Sequence, residues 1–158
     1  MVRVKRSRRE IHRRTHALWC VVRREIGRNS FPLILLSDNH VGSRSQLESL
    51  LVARDCRVIC AKDSPETLNL LHRFYFDLII YDVDLPAIGG VTLLRHVKLH
   101  LPDTEVLLVT ERAQLGLTSL AMQHGAVDCL VKPLGQSAID ALIQHARMAA
   151  GRNHGPNI

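Results

Sequence analysis

From residue 31 onward, short continuous apolar runs alternate with longer segments in which apolar residues recur at helical spacing. The short runs are rich in Val, Ile and Leu and lack strict alternation, which is typical of strands buried on both faces of a sheet. We predict strands over residues 33–36, 57–61, 78–81, 106–109 and 126–131, and helices over residues 43–54, 64–73, 90–100, 114–124 and 137–149. Such alternation predicts right-handed crossovers and a doubly wound α/β domain, with a five-stranded parallel sheet and helices on both faces.

The ends of two predicted helices carry their own signals. Ser64 is expected to cap the second helix, with Pro65 at the first helical position and Glu66 in the first turn. Gly125, directly after His124, is a usual C-terminal signal for the fourth helix. We expect the α/β domain to span residues 31–150 and residues 151–158 to form a loose tail.

Composition and charge restrict the class of protein. The chain has 158 residues, of which 46% are hydrophobic and 23% charged, the balance of one globular domain and not of a disordered chain. No apolar run approaches the roughly 20 residues of a membrane span. The four cysteines form no CxxC pair, so we expect a reducing, cytoplasmic location.

The basic character is confined to the first 30 residues. Residues 1–30 carry ten Lys/Arg against two acids, whereas residues 31–158 carry eleven Lys/Arg against thirteen acids. Apolar residues at helical spacing around Trp19 suggest a basic amphipathic helix in this N-terminal extension. Such an arm could contact nucleic acid, an anionic surface, the domain itself or a partner protein; an unordered extension or a misassigned start site is the alternative.

Polar residues follow the predicted strands, where parallel sheets bind ligands. These residues are Asp38 and Asn39 after the first strand, Asp82 and Asp84 after the third, Thr110 and Glu111 after the fourth, and Lys132 after the fifth. Clustered carboxylates commonly hold a hard cation such as Mg²⁺, and an ammonium beside a hydroxyl suits a phosphoryl group. We therefore predict a site where a carboxylate accepts a phosphoryl group beside a metal.

Four segments together resemble the receiver domain of response regulators, a flavodoxin-like fold. They are residues 34–40, residues 77–86 with Gly89 and Gly90 after them, residues 106–110, and residues 125–133, which end in Lys132-Pro133. The resemblance covers residues 31–150 with all motifs in order. It implies a phosphoacceptor of two-component or phosphorelay signal transduction.

The resemblance also implies a role for each site residue. Asp82 would take a phosphoryl group from a sensor histidine kinase or a histidine phosphotransfer protein. Asp38, Asp82 and the backbone carbonyl of Asp84 would hold Mg²⁺. Lys132 would pair with the phosphoryl oxygens, Thr110 would bring its hydroxyl to them, and the Lys132–Pro133 peptide bond would be cis.

Three positions depart from the family pattern. Asn39 stands where a second acid usually serves as a direct metal ligand, so it is a weak or lost ligand and Mg²⁺ affinity should fall. Glu111 replaces a small residue after the Thr and could repel an incoming phosphoryl donor or turn outward. Cys129 stands where the family places a switch Tyr or Phe.

Two functions from different classes follow. The first is a stand-alone receiver, since only eight residues follow the domain, whose output runs through protein contacts or a homodimer on the fourth- and fifth-helix face. The alternative is a degenerate receiver that binds proteins without phosphorylation, with residues 1–30 as an arm for nucleic acid. An enzyme is not expected: Asp82-Val83-Asp84 echoes haloacid-dehalogenase-type phosphatases, but Leu85 and Pro86 do not fit that motif. His96 and His100, four apart on the third helix, are interpreted as surface residues.

Overall fold

The predicted parallel sheet is present. The computed structural model describes residues 31–114 and 116–154, and in this part of the chain five parallel strands lie in the order β2-β1-β3-β4-β5. The elements are β1 (Leu33–Ser37), α1 (Val41–Val52), β2 (Arg57–Ala61), α2 (Ser64–Arg73), β3 (Leu78–Asp82), α3 (Gly90–His100), β4 (Glu105–Thr110), α4 (Leu117–Gln123), β5 (Asp128–Val131) and α5 (Gln136–His154). The doubly wound fold class is thereby confirmed.

Alternate residues of the central strands face two separate cores. Leu35 and Ile79 pack with Leu93 of α3 on one side of the sheet. Ile34 and Ile80 pack on the other side, against α1 and α5. Every residue of β1 and β3 is buried, as expected for strands covered on both faces. The strand order reverses between β1 and β3, which places their carboxyl ends at the usual ligand-binding crevice.

The cap of α2 lies one residue earlier than predicted. Asp63, and not Ser64, is the N-cap, because the Asp63 carboxylate accepts a hydrogen bond from the backbone N–H of Glu66. The Ser64 hydroxyl instead lies 2.7 Å from the buried hydroxyl of Tyr81. Both residue types are good caps, so the tertiary partner of Ser64 decides between them.

Helices α1 and α4 also differ from prediction at their ends. Helix α1 covers Val41–Val52 and so lies two residues earlier than expected. Helix α4 begins only at Leu117, because Gly116 has a left-handed backbone (φ 88°) that no α-helix accommodates. Gly125, also at positive φ (93°), follows the end of α4 as predicted.

Helix α5 runs five residues beyond the predicted end at residue 149, and the tail expected from residue 151 is therefore helical as far as His154. Arg152 donates to Glu105 at 2.6 Å, and Asn153 donates to the buried Asp77 at 3.0 Å. These bonds hold the last turn against the amino-terminal edge of the sheet. The helix predicted in residues 1–30 lies outside the described residues, as do residues 155–158. Among the described residues, no helix is long and apolar enough to cross a membrane.

Gly90, the first residue of α3, is required by a close approach to β3. A Cβ on Gly90 would lie 2.7 Å from Cγ1 of Val83, the residue directly after Asp82. We expect Gly90→Ala to lower the free energy of unfolding by about 1–3 kcal/mol, because a β-branched side chain cannot move aside freely. Urea denaturation followed by circular dichroism measures this.

The matched control is Gly42→Ala in α1, where a new Cβ meets nothing within 4 Å. This change should be neutral or stabilising by up to about 1 kcal/mol. Adding Val83→Ala to Gly90→Ala should recover part of the loss. Equal losses at both glycines would contradict the steric explanation.

Candidate functional site

Three strand ends meet around one ammonium group. The Lys132 Nζ, directly after β5, lies 2.8 Å from Asp38 Oδ2 and 2.9 Å from Asp82 Oδ2. The two aspartates are only 4% and 2% exposed. The backbone N–H of Lys132 donates to the carbonyl of Thr110 at 2.8 Å, which fixes the position of the lysine beside β4. The Lys132–Pro133 peptide bond is cis, as the resemblance implied.

Asp38 is held by a local turn that begins where β1 ends. Its Oδ1 accepts a hydrogen bond from the backbone N–H of His40 at 2.7 Å, and its Oδ2 accepts one from the Ser43 hydroxyl at 2.8 Å. The guanidinium of Arg44 donates to the Asp38 carbonyl. Burial by itself would raise the pKa of the Asp38 carboxyl, but the bonds from Lys132, His40 and Ser43 outweigh it and lower that pKa below 3.8.

Asp82 is the last residue of β3 and is held by the loop that follows it. Its Oδ1 accepts a hydrogen bond from the backbone N–H of Asp84 at 2.9 Å. Burial opposes the charged form of Lys132, yet the hydrogen bonds to Asp38 and Asp82 prevail and raise the pKa of the ammonium. The cluster therefore consists of two carboxylates and one persistent cation.

A buried hydroxyl pair supports the loop between β3 and α3. The Tyr81 hydroxyl lies 2.7 Å from Ser64 Oγ and 2.8 Å from the carbonyl oxygen of Ile88, and Ser64 donates to the carbonyl of Pro86 at 2.7 Å. This loop also contains Asp84, so the pair positions the segment that lies beside the phosphoacceptor candidate.

Exposed polar groups line the mouth of the site. His40 Nδ1 lies 3.6 Å from Asp38 Oδ1 and 3.7 Å from Glu111 Oε1. The backbone N–H of Glu111 donates to Asp84 Oδ2 at 3.3 Å. The Thr110 hydroxyl, buried at the end of β4, donates to the carbonyl of Arg112 at 3.1 Å. Residues from β1, β3 and β4 thus meet at one entrance.

The structure brings together most of the predicted site residues but not all of them. Asp38, Asp82 and Lys132 are in direct contact. Asn39 is exposed, so the amide at the predicted weak metal position does not join the buried cluster. Cys129 is half-buried against the core that includes α3, and burial raises the pKa of its thiol.

Sequence reasoning missed His40, Ser43 and Arg44. An Asp followed two residues later by a backbone N–H donor, and five residues later by a hydroxyl, is a usual local turn around a carboxylate. That spacing predicts the Ser43 contact. It does not predict the contact of the His40 ring with Glu111, which lies in the loop after β4.

The donor set fits a divalent cation. Buried carboxylate oxygens from two strands converge, and one ligand atom from each of Asp38, His40 and Asp82 lies within 4.8 Å of the others. Carboxylate oxygens are the ligands that Mg²⁺ accepts in proteins. The oxygens of Asp38 and Asp82 would hold such an ion.

A doubly wound sheet with a lysine-bridged pair of acids at its carboxyl edge is the arrangement that the resemblance to receiver domains implied. Residues 34–144 match the family model described as the response regulator receiver domain. The chain therefore belongs to the receiver family of two-component response regulators.

Individual relatives agree with this assignment. The chain is 27% identical over 120 residues to the transcriptional regulatory protein ZraR of Klebsiella oxytoca, which covers 73% of this chain and 27% of that protein. It is 29% identical over 113 residues to the transcriptional regulatory protein FixJ of Bradyrhizobium diazoefficiens, covering 72% and 55% respectively. The crystal structure of a receiver domain protein from Clostridium thermocellum superposes with a TM-score of 0.69 at 27% identity, covering 77% of this chain and 96% of that one. The chain thus spans between about a quarter and about half of these curated relatives.

Removal of the Lys132 ammonium should destabilise the fold. We expect Lys132→Met to lower the free energy of unfolding at pH 7 by about 3–5 kcal/mol, because two buried carboxylates lose their shared cation. The exposed Lys62→Met is the control and should change stability by no more than about 0.5 kcal/mol.

The pH dependence of stability tests whether the effect of Lys132→Met is electrostatic. In the wild type the lowered pKa of Asp38 contributes stability above its ordinary value of 3.8, and this is lost as the pH falls through the lower folded value. In Lys132→Met, burial should raise the pKa of the Asp38 carboxyl, so this carboxyl takes up a proton at a higher pH than in the wild type. The difference in free energy of unfolding between wild type and Lys132→Met should therefore shrink as the pH falls below about 5. Urea denaturation midpoints of the wild type and of Lys132→Met between pH 7 and pH 3 measure this. A stability difference that does not depend on pH would refute the electrostatic cause.

Proposed function

We propose that this chain accepts a phosphoryl group on Asp82 from the phosphohistidine of a sensor kinase or a phosphotransfer protein. The observation that carries the proposal is the placement of the Asp82 carboxylate, buried at a strand end and 2.9 Å from the Lys132 ammonium. A nucleophilic carboxylate needs a nearby cation to stabilise the charge of the incoming group, and the Lys132 ammonium supplies one.

In this phosphoryl transfer one bond to phosphorus forms and one breaks. An Asp82 carboxylate oxygen forms a bond to phosphorus while the bond from phosphorus to the donor's imidazole nitrogen breaks. The electron pair of that bond remains on the nitrogen, which takes up a proton. The product is an acyl phosphate on Asp82.

The side chains around Asp82 support charge stabilisation in this step. Lys132 has a raised pKa and so stays cationic; it would move its contact from the carboxylate to the phosphoryl oxygens. The Thr110 hydroxyl would exchange its bond to Arg112 for one to the phosphoryl group. A bound divalent cation, Mg²⁺ by family resemblance, supplies further neutralisation of negative charge, with Asp38, Asp82 and the Asp84 carbonyl as its ligands.

We further propose that output runs through protein contacts in the cytoplasm, without an enzymatic activity on other substrates. Leu120 and Met122 of α4 and Val131 of β5 are 42%, 48% and 43% exposed. Large apolar side chains at this exposure support a partner or a second copy on the α4 and α5 face. Cys129 lacks the ring of the family's switch residue, so the signal would reach this face by a different side chain.

A degenerate receiver is the second candidate. Asn39 contributes no charge to the metal site, and Glu111 pairs with His40 at its entrance. Both features favour a domain that binds proteins without being phosphorylated. The basic residues 1–30 could then contact nucleic acid.

Phosphorylation of Asp82 distinguishes the two candidates. We expect a gain of one phosphoryl group when the protein is incubated with acetyl phosphate and Mg²⁺, detected by intact-mass spectrometry. Asp82→Asn should abolish the gain, whereas Asp140→Asn, which changes an exposed acid on α5, should retain it. A wild type that stays unmodified at saturating donor and metal would favour the degenerate receiver.

Glu111 should slow the reaction with small anionic donors. Glu111→Gln removes a charge from the mouth of the site while keeping its shape, and we expect acetyl phosphate to react roughly fivefold faster, as for about 1 kcal/mol of screened repulsion. The gain should shrink at high salt. Glu111→Ala tests size; a gain in Ala but not in Gln would mean that Glu111 acts by crowding and not by charge.

A further inference from the structure

The candidate cation site includes a nitrogen donor, His40, beside its two carboxylates. His40 Nδ1 lies 3.6 Å from Asp38 Oδ1, the oxygen that Lys132 does not contact. Ligand atoms about 2.1 Å from one ion lie about 3.0–4.2 Å apart in tetrahedral or octahedral geometry. The distance from His40 Nδ1 to Asp38 Oδ1 is 3.6 Å, and the ligand atoms of Asp38, His40 and Asp82 all lie within 4.8 Å of one another. Both values are close to that range.

The surroundings of His40 make its ring available. The His40 side chain is 59% exposed, so a small ring rotation meets little resistance. The turn is held by its backbone N–H, which donates to Asp38, and not by its ring. Glu111 Oε1 lies 3.7 Å from the same Nδ1, so a cation bound by this nitrogen would also lie near the Glu111 carboxylate.

We propose that His40 ligates the divalent cation in place of the missing second acid and that the site therefore prefers Zn²⁺ or Co²⁺ to Mg²⁺. Imidazole binds Zn²⁺ and the later first-row transition ions well, whereas Mg²⁺ selects oxygen ligands. Asn39 is exposed and offers only a neutral amide, so position 39 adds no further carboxylate to strengthen the preference of Asp38 and Asp82 for a hard ion. The inference rests on the proposed function only in that the ion lies at the proposed phosphoacceptor site.

The test uses the full chain and two readouts of binding. Zn²⁺ and Mg²⁺ affinities are measured by titration calorimetry, and Co²⁺ is followed by its visible d–d absorption, whose position and intensity change with the ligand atoms and the coordination geometry. All variants carry His96→Gln, because the His96 and His100 rings are 4.5 Å apart on α3 and could bind these ions themselves. His72→Ala, an exposed histidine on α2, is the matched control for the loss of a surface imidazole.

We expect Zn²⁺ to bind at least tenfold more tightly than Mg²⁺. His40→Ala should weaken Zn²⁺ binding by about tenfold or more, since even outer partners of metal ligands contribute that much, and should shift and weaken the Co²⁺ band toward that of oxygen-ligated Co²⁺. His40→Asp should raise Mg²⁺ affinity and reverse the order of the two ions. His72→Ala should change none of these values.

Mg²⁺ binding as tight as Zn²⁺, or Zn²⁺ binding unchanged in His40→Ala, would overturn the inference. Acetyl phosphate labelling of Asp82 in Mg²⁺ is measured in parallel. Labelling without a role for His40 in metal binding leaves the phosphoacceptor function standing and refutes the metal preference. A His40-dependent Co²⁺ band with no labelling under any metal supports the metal site and refutes the phosphoacceptor function.

Discussion

The shared ammonium of Lys132 is the interaction on which the carboxyl edge of the sheet depends. Asp38 and Asp82 are both nearly excluded from water, and two carboxylates at this spacing repel each other strongly where the effective dielectric constant is low. One cation within 3 Å of both removes most of that repulsion. The ends of β1, β3 and β5, which are distant in sequence, are thereby fixed relative to one another.

The same arrangement suits both a cation and the proposed incoming anion. With two carboxylates and one ammonium the cluster carries a net negative charge, which favours a divalent ion. In the proposed transfer to Asp82, the ammonium would already stand beside the new negative charge and would need little reorganisation. Preorganised charge of this kind is the main way proteins stabilise phosphoryl transfer.

Hydrophobic periodicity predicted the sheet and its four crossovers because β1 and β3 are buried on both faces. The polar residues that follow the strands predicted Asp38, Asp82 and Lys132 as neighbours. What it missed depends on contacts between segments far apart in sequence. The hydroxyl of Ser64 is used by Tyr81 and not by the helix cap. Likewise, α5 extends to His154 with bonds to residues 47 and 76 positions away, which no local signal encodes.

The departures from the family pattern act together at the mouth of the site. Asn39 places a neutral amide where the resemblance implies an acidic metal ligand, and Glu111 places an acid at the exposed rim. Relative to the family pattern, the number of negative charges near the site would stay the same while one of them moves outward. Long-range attraction depends on total charge, whereas ion selectivity depends on the atoms in contact with the ion. His40 lies between these two zones, 3.6 Å from the buried acid and 3.7 Å from the rim acid. A pair of substitutions that keeps the total charge but changes the atoms in contact with the ion would alter which ion the site selects. It would leave the long-range attraction of cations to the site unchanged.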